Sequence, residues 1–275
     1  MRIDSHQHYW FYHPVKDAWI TDEMNVIKRD FSPGDVWPLM QKNNIDGCIA
    51  VQADQSENET KYLLSLAEEH PFIKAVVGWV DLRSPDIADR LEYFSRFRLL
   101  KGFRHIVQAE KEDDFLLRED FCNGIKYLSR YNYTYDVLIH PRHLKYALQF
   151  VERFPGQKFV IDHFAKPFIK HKATEPWLSD LSKFSAYPNV YCKMAGLVTE
   201  ADWVNWKKED FVPYFEAVLN IFSADRIIFG TDWPVCLTGQ SYDQVCELTQ
   251  YLAGGLSATD QLKIWGGNAE AFYDL

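Results

Sequence analysis

Short apolar runs alternate with longer amphipathic stretches along the whole chain. Several of the short runs are apolar and β-branched for most of their length, as in AVVGWV, VIDH and IIFG. This pattern is typical of strands buried on both faces of a parallel sheet. Eight runs are predicted to be strands: Arg2–His6, Asp46–Gln52, Ile73–Val80, Leu100–Ile106, Thr134–Ile139, Lys158–His163, Val190–Ala195 and Arg226–Gly230.

The stretches between the strands carry apolar residues at helical spacing. Predicted helices are Glu57–His70, Ser84–Phe97, Phe121–Tyr131, Pro141–Phe154, Trp177–Tyr187, Pro213–Phe222 and Tyr242–Ala253. A last helix is predicted to begin at Asn268, with the Asn268 side chain as its N-cap after two glycines. Eight strands that alternate with helices predict an α/β fold, a (β/α)8 TIM barrel, with residues 1–275 as one domain.

Two segments are longer than a minimal barrel requires. Tyr9–Trp37 follows the first predicted strand and is rich in aromatic residues, and Leu197–Val212 follows the seventh. Both come after strand ends, on the face where TIM barrels place their active sites. We interpret both as loops that form pocket walls, although structural insertions would give the same pattern.

Composition and charge narrow the classes of function. The 275 residues are 47% hydrophobic and 25% charged, which is ordinary for a globular protein. A net charge of −9 without a basic stripe argues against a nucleic-acid partner, and no apolar run is long enough to predict a membrane span. Five scattered cysteines and the lack of an export leader predict reduced thiols in a cytoplasmic protein. A homo-oligomer remains open.

The chain begins MRIDSHQHYW, with two histidines at the end of the first predicted strand. Residues two apart in a strand point to the same side, so His6 and His8 can both face the barrel mouth. Two imidazoles there can bind one metal ion or stabilise an oxyanion. Surface or core-packed histidines are the alternative.

Two further strands end in residues of the same chemistry. The sixth runs KFVIDHFAKP and ends at His163, and the eighth runs RIIFGTDWPV and ends at Asp232. Strand ends of a barrel converge at one mouth, so His6, His8, His163 and Asp232 form a set that could hold one divalent cation such as zinc. Asp232 can also act as a general base. Taken alone, His163 could be a buried structural histidine, and Asp232 could be a helix cap.

Other polar residues follow neighbouring strands. In KGFRHIVQ, Arg104 and His105 point to opposite sides, and we expect Arg104 to face the mouth and bind substrate oxygens. Lys166 and Gln52 could contact substrate hydroxyl groups. For Arg104 and Lys166 the alternatives are a structural ion pair and a solvated surface lysine.

The metal count and the reaction class are limited by what the sequence lacks. A binuclear site often needs a modified lysine, but Lys101 lies early in the fourth strand, so we expect at most one metal. His140 precedes a proline and is interpreted as a strand-to-helix turn rather than a ligand. Serine-hydrolase, phosphate-loop and dinucleotide motifs are missing.

These motifs together resemble the amidohydrolase superfamily. The matching pieces are IDSHQHYW, VQADQSENET, LKGFRHIVQ, FVIDHFAKP, NVYCKMAGLVTEADW, DRIIFGTDWPVC and NAEAFY, spread over nearly the whole chain. They are most similar to the branch that contains 2-pyrone-4,6-dicarboxylate hydrolase and the L-fuconolactonase and L-rhamnonolactonase types. Where the pyrone hydrolases carry an arginine, this chain has Lys166, which favours a neutral polyhydroxy lactone over a dicarboxylate.

The resemblance implies hydrolysis of a small-molecule sugar lactone to the aldonic acid. Asp232 would activate water, and the three histidines would stabilise the oxyanion with or without zinc, since the superfamily contains both metal-dependent and metal-free members. Glu200, Lys193 and Trp233 would join Arg104 in holding the substrate. Two alternatives stay open: a metal-dependent decarboxylase of an aromatic or unsaturated acid, and an inactive barrel that binds a sugar acid.

Overall fold

Eight parallel strands pair in chain order in the computed structural model, which describes residues 1–275. The strands are β1 (Ile3–Gln7), β2 (Gly47–Val51), β3 (Ile73–Gly78), β4 (Leu100–His105), β5 (Thr134–Val137), β6 (Phe159–Ile161), β7 (Val190–Met194) and β8 (Ile227–Phe229). Each lies within the predicted run, or one residue beyond it for β1. The TIM-barrel prediction is confirmed.

Backbone hydrogen bonds just beyond β8 close the barrel against β1. The Asp232 N–H donates to the His6 carbonyl at 2.9 Å, and the His8 N–H donates to the Trp233 carbonyl at 2.7 Å. The buried Asp4 carboxylate reinforces this seam, because it accepts hydrogen bonds from the Thr231 backbone N–H at 2.8 Å and the Thr231 hydroxyl at 2.6 Å. These bonds therefore fix the positions of His6 and His8 relative to Asp232.

Ten α-helices accompany the strands. They are α1 (Pro33–Lys42), α2 (Glu57–Glu69), α3 (Ile87–Phe94), α4 (Glu119–Leu128), α5 (Leu144–Glu152), α6 (Trp177–Leu181), α7 (Val212–Phe222), α8 (Tyr242–Ala253), α9 (Ala258–Leu262) and α10 (Asn268–Tyr273). Every predicted helix has a counterpart, although several are shorter because their ends are 3₁₀ turns.

The interpretation of 9–37 as loop throughout is wrong at its end, where α1 begins at Pro33. Ser32 and Asp35 form a capping box, and Pro33 occupies the first turn, where a missing N–H costs nothing. The last helix begins at Asn268 as predicted, but the prediction that the Asn268 side chain caps it is wrong. Asn268 is already helical, and its amide donates to the Ala224 and Ile227 carbonyls, both at 2.7 Å, instead of capping α10.

The core has two parts that leave one end of the barrel polar. A large apolar layer lies between the strands and the helices. A second cluster, which includes Ile3, Val51, Val77 and Ile228, lies inside the barrel against α10 and fills the amino-terminal end. The polar site described below occupies the opposite end. None of the helices is long and apolar enough to cross a membrane.

Candidate active site

The structure brings the four predicted residues together at the carboxyl end of the barrel. The Asp232 Oδ1 atom lies 3.3 Å from His8 Nε2 and 3.7 Å from His6 Nε2. The ring centroids of His6 and His163 are 4.6 Å apart. All four side chains are buried. The predicted convergence of three strand ends is therefore present, and His6 in β1 and His8 just after it both face Asp232.

His163 and Lys166 are placed by an unusual backbone segment. Residues 163–166 have φ values of 54–57°, so four consecutive non-glycine residues are left-handed. Such conformations cost about 1–2 kcal/mol per residue and cluster at functional sites. Two hydrogen bonds hold the segment: the Trp177 indole N–H donates to the Phe164 carbonyl at 2.6 Å, and the Lys166 N–H donates to the His163 carbonyl at 2.8 Å.

A glycine makes room for two of the four residues. Gly196 has φ +62°, and a Cβ atom there would lie 2.6 Å from His163 Nδ1 and 2.9 Å from Asp232 Oδ2. These distances are shorter than any real Cβ contact, so only glycine fits beside the unperturbed pair. The AGL stretch after β7 is thus part of the site's construction, although sequence reasoning did not single it out.

The surroundings leave the imidazoles neutral and the carboxylate ionised. Burial lowers the pKa of His6 well below its usual value and that of His163 to about 4. Burial raises the pKa of Asp232, but the nearby His163, His8 and Lys166 side chains outweigh it, and the net pKa is lower than usual. At neutral pH the site therefore offers two neutral imidazoles and one carboxylate from these three residues.

The hydrogen bond of His8 fits a metal ligand. His8 Nδ1 lies 2.7 Å from the Val51 carbonyl oxygen, which can only accept, so Nδ1 carries the proton and Nε2 is left as an acceptor. Nε2 then faces a carboxylate oxygen, also an acceptor, at 3.3 Å. Two acceptors at this separation suit a shared cation, and a second-shell carbonyl commonly orients ligating histidines in this way.

Two sets of three residues could each hold a metal ion, and both sets include His6. His6, His8 and Asp232 place their ligand atoms within 4.8 Å of one another, and so do His6, Asp162 and His163. The buried Nδ1 atoms of His6 and His163 have no hydrogen-bond partner in the chain. The donor set fits one divalent ion such as zinc. Asp162 is a member that sequence reasoning missed.

A buried charge network supports the site from below. The Arg104 guanidinium donates to Asp162 Oδ2 and lies the same distance, 3.0 Å, from His6 Nε2. The Lys193 ammonium lies 2.6 Å from Asp136 and 3.1 Å from Asp162. Burial raises the pKa of Asp162, but Lys193 and Arg104 outweigh it and hold the pKa below its usual range. Burial raises the pKa of Asp136 to about 6.

The network corrects two substrate-binding predictions. Lys193 is fully buried and its ammonium is engaged by two carboxylates, so it does not line the cavity. Gln52 is also fully buried, and its side-chain oxygen accepts from Arg104 at 3.1 Å. Arg104 does face the mouth and lines the cavity, as predicted. His105 points the other way and stacks on Phe115 at 4.7 Å.

Trp233 also lies elsewhere than predicted. Its side chain is 1% exposed and packs against Tyr9 and Phe31, with ring centroids 6.0 and 5.2 Å away. It therefore belongs to the core beneath the first loop and not to the cavity wall. The cis bond that follows Trp233 leads into the turn after β8. The indole rings that do face the cavity are those of Trp19 and Trp203.

Three of the four residues, His8, His163 and Asp232, line a cavity of about 360 Å³, and His6 is fully buried behind them. Trp19 and Met24 contribute one wall, and Thr199, Glu200 and Trp203 contribute another. Both long segments therefore line the cavity, as the sequence predicts. Lys166 also reaches it, where its ammonium lies 3.2 Å from the Glu200 carboxylate.

The two remaining sequence predictions concern His140 and Lys101. His140 begins the 3₁₀ turn at Pro141–His143, as expected of a strand-to-helix turn. Lys101 points away from the mouth and donates to the Asp274 carbonyl at 2.6 Å, near the chain's carboxyl end. Neither residue is among the groups that could hold a metal ion.

Comparison with known proteins places this geometry in context. A family model described as Amidohydrolase matches residues 3–275. An L-fucono-1,5-lactonase of Burkholderia multivorans is 40% identical over 100% of this chain and 96% of its own length. An L-fucono-1,5-lactonase of Burkholderia ambifaria is 36% identical over 99% of this chain and 95% of its own. The crystal structure of a B. multivorans amidohydrolase with bound zinc superposes with a TM-score of 0.96 at 40% identity, covering 100% of this chain and 99% of that one.

Proposed function

The chain belongs to the amidohydrolase family, and we propose that it is a lactonase that opens L-fucono-1,5-lactone, or a sugar lactone close to it, to the aldonic acid. The observation that carries this proposal is the 40% identity to an L-fucono-1,5-lactonase over the whole chain. Carboxylic ester hydrolysis also suits a site with one buried carboxylate and several neutral imidazoles.

The cavity supports a neutral ring as the substrate. Its volume of about 360 Å³ falls in the range of small-molecule sites. The positive charge of Lys166 is balanced by Glu200 at 3.2 Å, so the wall does not demand an anionic substrate. Trp19 and Trp203 supply apolar faces, and Glu200 and Thr199 supply hydrogen-bonding groups for hydroxyls.

In the proposed reaction, Asp232 Oδ1 accepts a proton from a water molecule held beside His8. The water oxygen adds to the lactone carbonyl carbon, which gives a tetrahedral oxyanion. Loss of the ring C–O bond then yields the carboxyl group, and Asp232 returns its proton to the departing ring oxygen. One water is consumed, a hydroxyl and a carboxylic acid are formed, and the acid releases its proton to solvent to become a carboxylate. Arg104 holds His6 and Asp162 in position through this cycle.

Zinc is the metal we propose for this site. His6, His8 and Asp232 would hold it, with His163 and Asp162 adjacent. A bound divalent ion supplies Lewis-acid polarisation of the carbonyl and lowers the pKa of water. A relative at 40% identity was crystallised with zinc bound. The His8 tautomer fixed by Val51 serves this role without rearrangement.

A panel of lactones tests the function. L-Fucono-1,5-lactone, L-rhamnono-γ-lactone and 2-pyrone-4,6-dicarboxylate are supplied in weak buffer, and acid release is followed with a pH indicator. We expect the fucono-lactone to be opened fastest. Carbon dioxide release from an aromatic acid without lactone opening would favour the decarboxylase, and ligand binding without turnover would favour the inactive barrel. Metal analysis of protein purified without added zinc, with activity before and after chelation, tests the cofactor.

A further inference from the structure

A second cavity, of about 400 Å³, adjoins the catalytic cavity. The two cavities share a wall made of Lys166, Thr199, Glu200 and Trp203. The Lys166–Glu200 ion pair therefore lies on the border between them. We name it the vestibule. Its charged and titratable lining residues are His140, Arg142, Lys166, Lys170, His171 and Glu200.

The vestibule is positively charged although the chain carries a net charge of −9. Its lining contains three lysine or arginine side chains and one carboxylate. Arg142 is paired with Asp113 at 2.8 Å and Lys166 with Glu200 at 3.2 Å. Lys170 is exposed and has no carboxylate within ion-pair distance, although the Asp202 carboxylate is close enough to interact with its charge, so its ammonium can still meet an anion.

The surroundings of His140 carry the same positive charge. Burial first, and then the charges of Lys166 and Arg142, lower the pKa of His140 to about 4. No carboxylate is among the groups that act on this imidazole, although Glu200 lines the same cavity. The positive charge therefore reaches the buried wall of the vestibule as well as its rim.

The proposed reaction creates an anion next to this cavity. Ring opening turns a neutral ester into a carboxylate beside Asp232, and two carboxylates at close range repel each other. The product is also an open chain, which is longer than the ring. The positive vestibule borders the negative site at Lys166, and its volume suits a small sugar acid.

We propose that the vestibule is a binding subsite for the carboxylate of the aldonate product. This inference rests on the proposed function for the identity of the acid. Lys170 supplies the unpaired charge, Lys166 lies on the border between the two cavities, and Trp203 offers a shared apolar wall along which the chain carbons lie. The subsite draws the product away from Asp232 and makes the enzyme sensitive to its own product.

Calorimetric binding of L-fuconate and of the matching alditol, L-fucitol, tests the subsite without any turnover. The alditol has the same hydroxyl chain but no carboxylate. We expect L-fuconate to bind at least fivefold more tightly, and Lys170→Gln to weaken L-fuconate binding about three- to tenfold without changing L-fucitol binding. Raising the salt from about 20 to 200 mM should weaken the fuconate alone.

Lys183→Gln is the matched control, because it removes one exposed lysine charge at a site outside both cavities. It should leave L-fuconate binding unchanged. Equal effects of the two substitutions, no effect of Lys170→Gln, or equal binding of fuconate and fucitol would each overturn the subsite. If no lactone is opened while L-fuconate binding still depends on Lys170, the proposed function is wrong and the anion subsite stands.

Discussion

Replacing Gly196 by alanine perturbs the candidate site by a single methyl group. The new Cβ would lie 2.6 Å from His163 Nδ1 and 2.9 Å from Asp232 Oδ2, so ordinary contact at 3.4 Å requires retreats of about 0.8 and 0.5 Å. Misplacement of reacting groups by about 1 Å can cost roughly 10²-fold in rate. The φ of +62° adds about 1–2 kcal/mol of backbone strain, because alanine rarely adopts it.

We therefore expect Gly196→Ala to lower kcat/KM for the lactone by about 10²-fold and Tm by several degrees. The indicator assay measures the first, and thermal unfolding followed by circular dichroism measures the second. Gly255→Ala is the control, because a Cβ there meets nothing within 4 Å and its φ is not left-handed. Wild-type kcat/KM in a folded Gly196→Ala variant would refute the claim that His163 and Asp232 must keep their present positions.

Three further predictions concern the residues that support the site. Lys193→Met leaves Asp136 and Asp162 without their shared cation, so the free energy of unfolding measured in urea should fall by about 3–5 kcal/mol. Lys183→Met at the surface should lower it by under about 1 kcal/mol. Equal losses would contradict the network. Trp177→Phe removes the hydrogen bond to the Phe164 carbonyl, so the free energy of unfolding should fall by about 1–3 kcal/mol and kcat should fall more than KM changes. An unchanged kcat would mean that the left-handed segment holds His163 without this bond. The folded pKa of His140 is about 4 and its unfolded value about 6.5, so only the unfolded chain gains this proton between those pH values and stability falls as the pH drops; His140→Asn should lose less stability than wild type between pH 7 and pH 5, and parallel losses would refute the shift.

The strands were predictable because buried parallel strands are continuous apolar runs with clear ends. Helix α1 was not, since Pro33, Gly34 and Pro38 are helix breakers in isolation. Here Pro33 occupies the first turn, the capping box at Ser32 satisfies free N–H groups, and packing of Val36 and Met40 in the core stabilises the rest. Tertiary contacts thus outweigh the low helix propensity of Pro33, Gly34 and Pro38, which the local sequence shows correctly.

The convergence of His6, His8, His163 and Asp232 was predictable because barrel topology alone brings strand ends together. The partners of Lys193 and Arg104 were a harder inference. Both residues are charged and lie inside strands, so each requires a buried counter-charge. Asp162, which carries the opposite charge, lies within an apolar run. Matching these charges across strands would have found the network and removed Lys193 from the substrate-binding set.

The remaining differences depend on backbone angles that residue types do not reveal. The left-handed run at 163–166 contains no glycine, so sequence gives no sign of it. Trp233 illustrates a different limit, because it was expected at the cavity next to Asp232, whereas its ring is buried in the core. Adjacent residues of an extended chain point to opposite sides, so a position next to a site residue need not face the site.

Asp232→Asn tests the central claim most directly, because the substitution keeps the size of the side chain and removes its ability to accept a proton. With L-fucono-1,5-lactone as substrate, the account predicts that kcat/KM falls by about 10²–10⁴-fold in a variant that unfolds at the wild-type temperature. A folded Asp232→Asn protein that retains more than about one fifth of wild-type kcat/KM would contradict the assignment of this carboxylate as the group that activates water.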